Sequence, residues 1–322
     1  MDHRVRQALI RALSVEKRRD RRQPALGADE RRLRQIERLG RRDLSASVNQ
    51  EDLKWVTSDP NADFPPAPMS RHQLLAGLHE ALRPRTYFEI GVRFGDSLAL
   101  SRARTIGVDP AYAIRAPLHC DIQTFTDTSD DFFARPGAFE HFDGAGIDLA
   151  FIDGMHMSEY VLRDFMNAEA HAAPGAVFVL DDVLPRNDLE AYRIRRTKAW
   201  AGDVYKVLEV LRTHRPDLTI VPVNTAPTGT VVIAGLDPDS TVLREAYDQI
   251  EPSLLAPDPQ IVPDRVKLRS DAVDPRDLLA SDVFKRVVAL RAEGGDHAVF
   301  RAVYGDLADV RTCGPSEDTA PA

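Results

Sequence analysis

Apolar positions along the chain fall into two kinds of pattern. One recurs at three- and four-residue steps, as in Val5, Leu9, Ile10 and Leu13 and again in Leu33, Ile36 and Leu39, which is the period of a helix with one buried face. The other is a short continuous apolar run bounded by turn residues, as expected of a strand buried on both faces. Between residues 70 and 236 the two alternate. Residues 70–82 read as a helix with Ser70 at its N-cap, and 86–90 as a strand followed by a glycine-containing turn and a helix through about Arg102. Further strands are predicted at 105–108, 119–122 and 147–152, then a helix at about 158–171. Pro174-Gly175 turns the chain into a strand at 176–180. A stripe of Val204, Val207, Leu208 and Leu211 marks a helix within 202–214, before apolar runs at 218–223 and 230–234 that are close enough to pair antiparallel across 224–229. This alternation is how a doubly wound α/β sheet with helices on both faces reads.

Outside that region the pattern changes. Residues 58–69 contain Asp59-Pro60-Asn61 and Pro65-Pro66-Ala67-Pro68, a run of helix breakers that reads as a linker. The expected organisation is a basic helical arm at 1–57, the linker at 58–69, the α/β domain at 70–236, a helical appendage at 237–313 and a disordered tail at 314–322. The appendage has helical pieces at 282–291 and 297–304, and its expected role is to cap the core or to mediate assembly, which leaves a homo-oligomer open.

Composition narrows the class. The chain has 322 residues, 43% of them apolar, enough to bury a sizeable core. No apolar stretch approaches the roughly 18 residues of a spanning helix, and charges occupy the place of a signal peptide's apolar segment. Cys120 and Cys313 lie far apart with no metal-binding spacing. The expectation is a cytoplasmic protein that does not enter membranes. The net charge of -8 is unevenly spread: residues 1–42 hold 14 of the 42 basic and 6 of the 50 acidic residues, so they carry +8 and the remainder -16. Interspersed acids and a lack of aromatics argue against nucleic acid as a partner of this arm. A small molecule is the expected partner.

Candidate chemistry begins at the first strand. Glu89-Ile90-Gly91-Val92-Arg93-Phe94-Gly95-Asp96-Ser97 runs from strand into turn, and its two glycines remove Cβ where backbone passes close to a ligand. The spacing is G-x-x-x-G rather than the dinucleotide G-x-G-x-x-G, and no lysine follows for a P-loop. Fourteen residues after Gly95, the second strand ends in Asp109, a carboxylate placed to accept ribose hydroxyls. Together these residues read as a nucleoside site. They resemble motif I and the ribose acid of class I S-adenosylmethionine-dependent methyltransferases. The resemblance implies a Rossmann-like seven-stranded sheet in the order 3-2-1-4-5-7-6 with helical appendages. It also implies that Glu89, Gly91, Gly95 and Ser97 surround the methionine part of S-adenosyl-L-methionine, that Asp109 holds the ribose, and that Asp127 lies near the adenine.

A second cluster follows. The strand at 147–152 ends in Asp153-Gly154-Met155-His156, and 28 positions after Asp153 come Asp181-Asp182 at the end of the next strand. Consecutive parallel strands deliver these carboxylates to one crevice, where their mutual repulsion would be relieved by a hard divalent cation such as Mg2+. His156, expected to have a near-neutral pKa, can reach the same crevice. The Asp-Gly-x-His signature with the later acidic pair resembles the macrocin O-methyltransferase and cephalosporin-hydroxylase-like subfamily over residues 70–236. That resemblance implies Asp153, Asp181 and Asp182 as metal ligands, Asp153 also beside the cofactor, and His156 as general base. The implied reaction is O-methylation of a small natural product or sugar. A catechol acceptor ranks lower, because such relatives usually carry Asp-Asn where this chain has Asp181-Asp182. The rival from another class is a non-catalytic cofactor-binding or assembly module in a biosynthetic or cell-envelope pathway.

Overall fold

The structure, a computed structural model, describes residues 64–310. The predicted basic arm, most of the linker and the predicted tail lie outside the described residues. Seven strands form one sheet: β1 Thr86–Ile90, β2 Arg104–Val108, β3 Ile122–Phe125, β4 Ile147–Ile152, β5 Ala172–Asp181, β6 Thr219–Val223 and β7 Thr230–Ala234. Their order is β3-β2-β1-β4-β5-β7-β6. The first five run parallel, and β7 is antiparallel to both β5 and β6. Fold class and strand order agree with the expectation from sequence.

Side chains alternate across the sheet with the two-residue period of a pleat. On β1, Phe88 and Ile90 join one buried cluster while Tyr87 joins the other. On β5, Phe178 and Leu180 face the first cluster, and Val177 and Val179 the second. The first face is covered by α2 Ser129–Phe133, α3 Ser158–Glu169, α4 Tyr205–His214 and α5 Val242–Leu254. The second is covered by α1 Arg71–Leu82 together with two helices from beyond residue 237, α8 Val283–Glu293 and α9 His297–Gly305. Between α5 and α8 lie the short α6 Asp264–Lys267 and α7 Pro275–Ala280. The C-terminal region thus fills one face of the sheet.

The reason is visible at the glycine turn. The helix expected through about Arg102 is absent, and only a 3-10 turn, Leu98–Leu100, follows Gly95. Ser97 and Ser101 spend their hydroxyls on Glu89 and Thr105, and Ser101 also accepts from Ala103 N, so local polar contacts hold the backbone in turns. No helix start stands behind the glycines. β3 also lies later than the predicted 119–122, because Gln123 and Thr124 at this sheet edge break the apolar run that sequence reading looks for.

Candidate active site

Register brings the strand ends to one level. Ile90 pairs with Val108 on one side and Ile152 on the other, and Ile152 pairs with Leu180. The next residues, Gly91, Asp109, Asp153 and Asp181, the last of them still on β5, therefore lie together at the carboxyl edge of the sheet, where open α/β sheets bind ligands. Gly91 has φ +95°, and a Cβ there would lie 1.9 Å from the Asp153 carbonyl oxygen. Only glycine lets these two strand ends close up.

The predicted cofactor residues divide by environment. Glu89 is fully buried and accepts hydrogen bonds from Tyr87 Oη and Ser97 Oγ, each at 2.7 Å. Burial pushes its carboxyl up to about 8, against the pull of those two donors. Asp109 accepts from the amides of Arg93 at 2.8 Å and Ala111 at 2.7 Å, so it holds the glycine turn against the start of the β2–β3 connection. The same connection lies along the turn through bonds from Ala113 N to Arg93 O and from Arg115 N to Phe94 O, and Ile114 packs against Gly95. Asp127 is farther along and pairs with Arg135.

The acidic cluster contains a cation that sequence reading missed. Arg71, the first residue of α1, places Nη1 2.9 Å from Asp181 Oδ2 and Nη2 3.6 Å from Asp153 Oδ2. Two local devices aim it there. Ser70 and Gln73 form a capping box that fixes the start of α1, and Met69–Ser70 pairs in parallel with Thr225–Ala226. Asp181 raises the Arg71 pKa above its ordinary value, and Asp153 and Asp182 add to it against the opposing effect of burial. Burial pushes the Asp181 carboxyl up, with Arg71 the largest influence against it.

His156 sits between the other two carboxylates. Its Nε2 is 3.1 Å from Asp153 Oδ1 and its Nδ1 3.0 Å from Asp182 Oδ2. Burial disfavours the imidazolium, but Asp182 and Asp153 together outweigh it and raise the pKa to about 10. The near-neutral value expected from sequence does not hold in this arrangement: His156 lies between two acids, and its Nδ1 is also 2.9 Å from the Trp200 carbonyl oxygen. Asp182 is further bonded by the Thr228 hydroxyl. His156 and Asp182 both have positive φ, +57° and +64°, a conformation that costs a non-glycine residue energy and that clusters at functional sites. One ligand atom from each of Asp153, His156 and Asp182 lies within 4.8 Å of the others, a spacing that fits a single divalent cation. Asp181 stands outside this group, turned to Arg71, so the cluster differs from the three-aspartate set expected.

The far wall of the His156 seat comes from the β5–α4 connection. Trp200 stacks on the imidazole with ring centroids 5.0 Å apart and planes inclined by 12°. Gly202 lies against the His156 carbonyl, and Asp203 Oδ1 accepts the Ser158 amide at 2.9 Å at the start of α3. Arg193 is buried and bonds Glu159, Asp203 and the Leu254 carbonyl, while its own amide and that of Ile194 donate to Asp258. Tyr205, at the start of α4, directs its hydroxyl to Gln260.

Residues 88–183, spanning β1 to the end of the acidic pair, match the family model described as a methyltransferase domain. The match likens this segment, under a third of the chain, to methyltransferase domains. No curated protein matches it. Among solved structures, a cofactor-bound protein from MTB is similar at 17% identity and TM-score 0.41, covering 68% of this chain and 94% of that one. An O-methyltransferase from Bacillus cereus in complex with SAH is 15% identical at TM-score 0.39, with 66% and 92% covered. The O-methyltransferase TomG from Streptomyces achromogenes, involved in tomaymycin synthesis and solved with SAM, is 20% identical at TM-score 0.38, with 65% and 90% covered. Among the described residues, no helix is long and apolar enough to cross a membrane.

Proposed function

We propose that the protein transfers a methyl group from S-adenosylmethionine to a hydroxyl of a small natural product or sugar. The observation that carries this reading is the convergence of Asp109, Asp153, Asp181 and Asp182 on the carboxyl edge of a methyltransferase domain, beside the glycine turn and buried Glu89. Asp109 is positioned to accept the ribose hydroxyls of the cofactor, and Glu89 shapes the floor beneath the turn through Ser97. The acceptor hydroxyl would enter between Trp200 and the acids, with Asp153 orienting the His156 ring; His156 can take the proton only once it has lost its own, so transfer should rise with pH towards about 10. Asp153 and Asp182 fit as holders of a divalent cation, which when bound supplies Lewis-acid polarisation of the acceptor hydroxyl. The negative cluster also favours the positive sulfonium of the donor over its neutral product.

Calorimetric titration with S-adenosylhomocysteine tests the reading. A dissociation constant below millimolar is expected, together with transfer of labelled methyl from S-adenosylmethionine to hydroxylated compounds in extract. His156→Ala and Asp182→Asn should each nearly abolish that transfer while leaving homocysteine-analogue binding measurable. Absence of binding by the wild-type protein, or unchanged transfer in both variants, would overturn the assignment.

A further inference from the structure

The acid cluster is charge-compensated from an unexpected direction, the helix that precedes the first strand. We infer that Arg71 is a built-in counter-ion that competes with a divalent cation for this cluster and sets how weakly the cation binds. The inference rests on the reading of Asp153 and Asp182 as cation holders given above, and extends it to a residue outside the matched methyltransferase segment.

Three observations carry it. Arg71 lies 3.6 Å from Asp153, one of the three residues with metal-ligand spacing, and 2.9 Å from neighbouring Asp181. Its contact with Asp181 is an ion pair without directional hydrogen-bond geometry, since Asp181 Oδ2 is buried with no hydrogen-bond partner and Arg71 Nε is likewise buried without one. A guanidinium held by charge and not by a full set of directed bonds can be displaced without breaking a network. Its placement is nevertheless built in, through the capping box at Ser70 and the pairing of Met69–Ser70 with Thr225–Ala226. A unit positive charge this close to a ligand oxygen repels a divalent ion by Coulomb interaction in a partly buried site, where screening by salt is weak.

The test uses Mn2+ alone as probe, with free Mn2+ followed by electron paramagnetic resonance on the full chain. Arg71→Gln should bind Mn2+ at least ~10-fold more tightly than wild type, and Arg71→Lys, which keeps the charge, should stay near the wild-type affinity. Arg71→Met, which keeps the aliphatic stem, repeats the measurement if the glutamine variant does not fold. Equal or weaker binding by the neutral variants, or no Mn2+ binding by any form at millimolar concentration, would overturn the inference. S-adenosylhomocysteine titration of the same samples separates the two readings. Cofactor-analogue binding without the charge effect removes only the role of Arg71, and the charge effect without analogue binding removes only the methyltransferase reading.

Discussion

Glu89 makes a prediction whose size follows from its surroundings. Its carboxyl has no exposure and only two hydroxyl donors, and burial moves its pKa from an ordinary 4.5 to about 8. Across that interval the folded protein keeps a proton that the unfolded chain has already released. Folding stability therefore falls as pH rises, by about 1.4 kcal/mol per pH unit from this group, fully present below pH 4.5 and lost by about pH 8. The accumulated loss is about 5 kcal/mol, a large share of the 5–15 kcal/mol typical of a domain. Glu89→Gln removes the titration while leaving an amide that Tyr87 and Ser97 can still bond. The assay is urea unfolding of both proteins at intervals between pH 4.5 and 9. The wild type should be the more stable or equal at the acid end, and the difference should shift in favour of the glutamine variant by about 5 kcal/mol at pH 8 and above. Two stability curves that run parallel over the whole range would refute the reasoning, because they would mean that Glu89 is no more protonated in the folded state than in the unfolded one.

Two further substitutions probe the wall of the site. Gly202→Ala puts a Cβ 1.7 Å from the His156 carbonyl oxygen at a φ of +60°; combined backbone strain and overpacking should cost about 2–4 kcal/mol by urea unfolding and depress methyl transfer more than cofactor binding. Arg193→Met leaves Glu159 and Asp203 buried without their shared cation and should destabilise by about 3–5 kcal/mol, measured as a lowered midpoint of thermal unfolding; a shift within error would show that Lys206, 2.9 Å from Asp203, suffices.

Much of this molecule was legible in its sequence. Strands β1, β4 and β7 match the predicted spans because each is a mostly apolar run ended by glycine, acid or turn residues. The carboxylates that follow β2, β4 and β5 could be placed in one crevice because parallel topology leaves little choice. What escaped was decided by contacts between residues far apart in the chain. Nothing in the composition of Arg71-His72-Gln73 marks the first of them as a partner of Asp181, 110 positions away. The only available signal was a lone cation at a capped helix start near an unbalanced acidic set. The helix expected after Gly95 failed because serine side chains found better bonds than a helical backbone would have offered, to a buried glutamate and to a strand threonine. The pKa of His156 depended on which acids flank it, and spacing alone could not say that there would be two.

The bonds between Arg193 and residues 254–258 have a consequence for how the protein comes to be made. The seat of His156 is fastened from behind by the Leu254 carbonyl and the Asp258 carboxylate, which lie more than seventy positions beyond the last acid of the cluster. A chain emerging from the ribosome N-terminal end first has every carboxylate of the crevice available long before these two anchors appear. During that interval the acids are present while the bonds that brace their wall cannot yet form, so the wall is completed only late in synthesis.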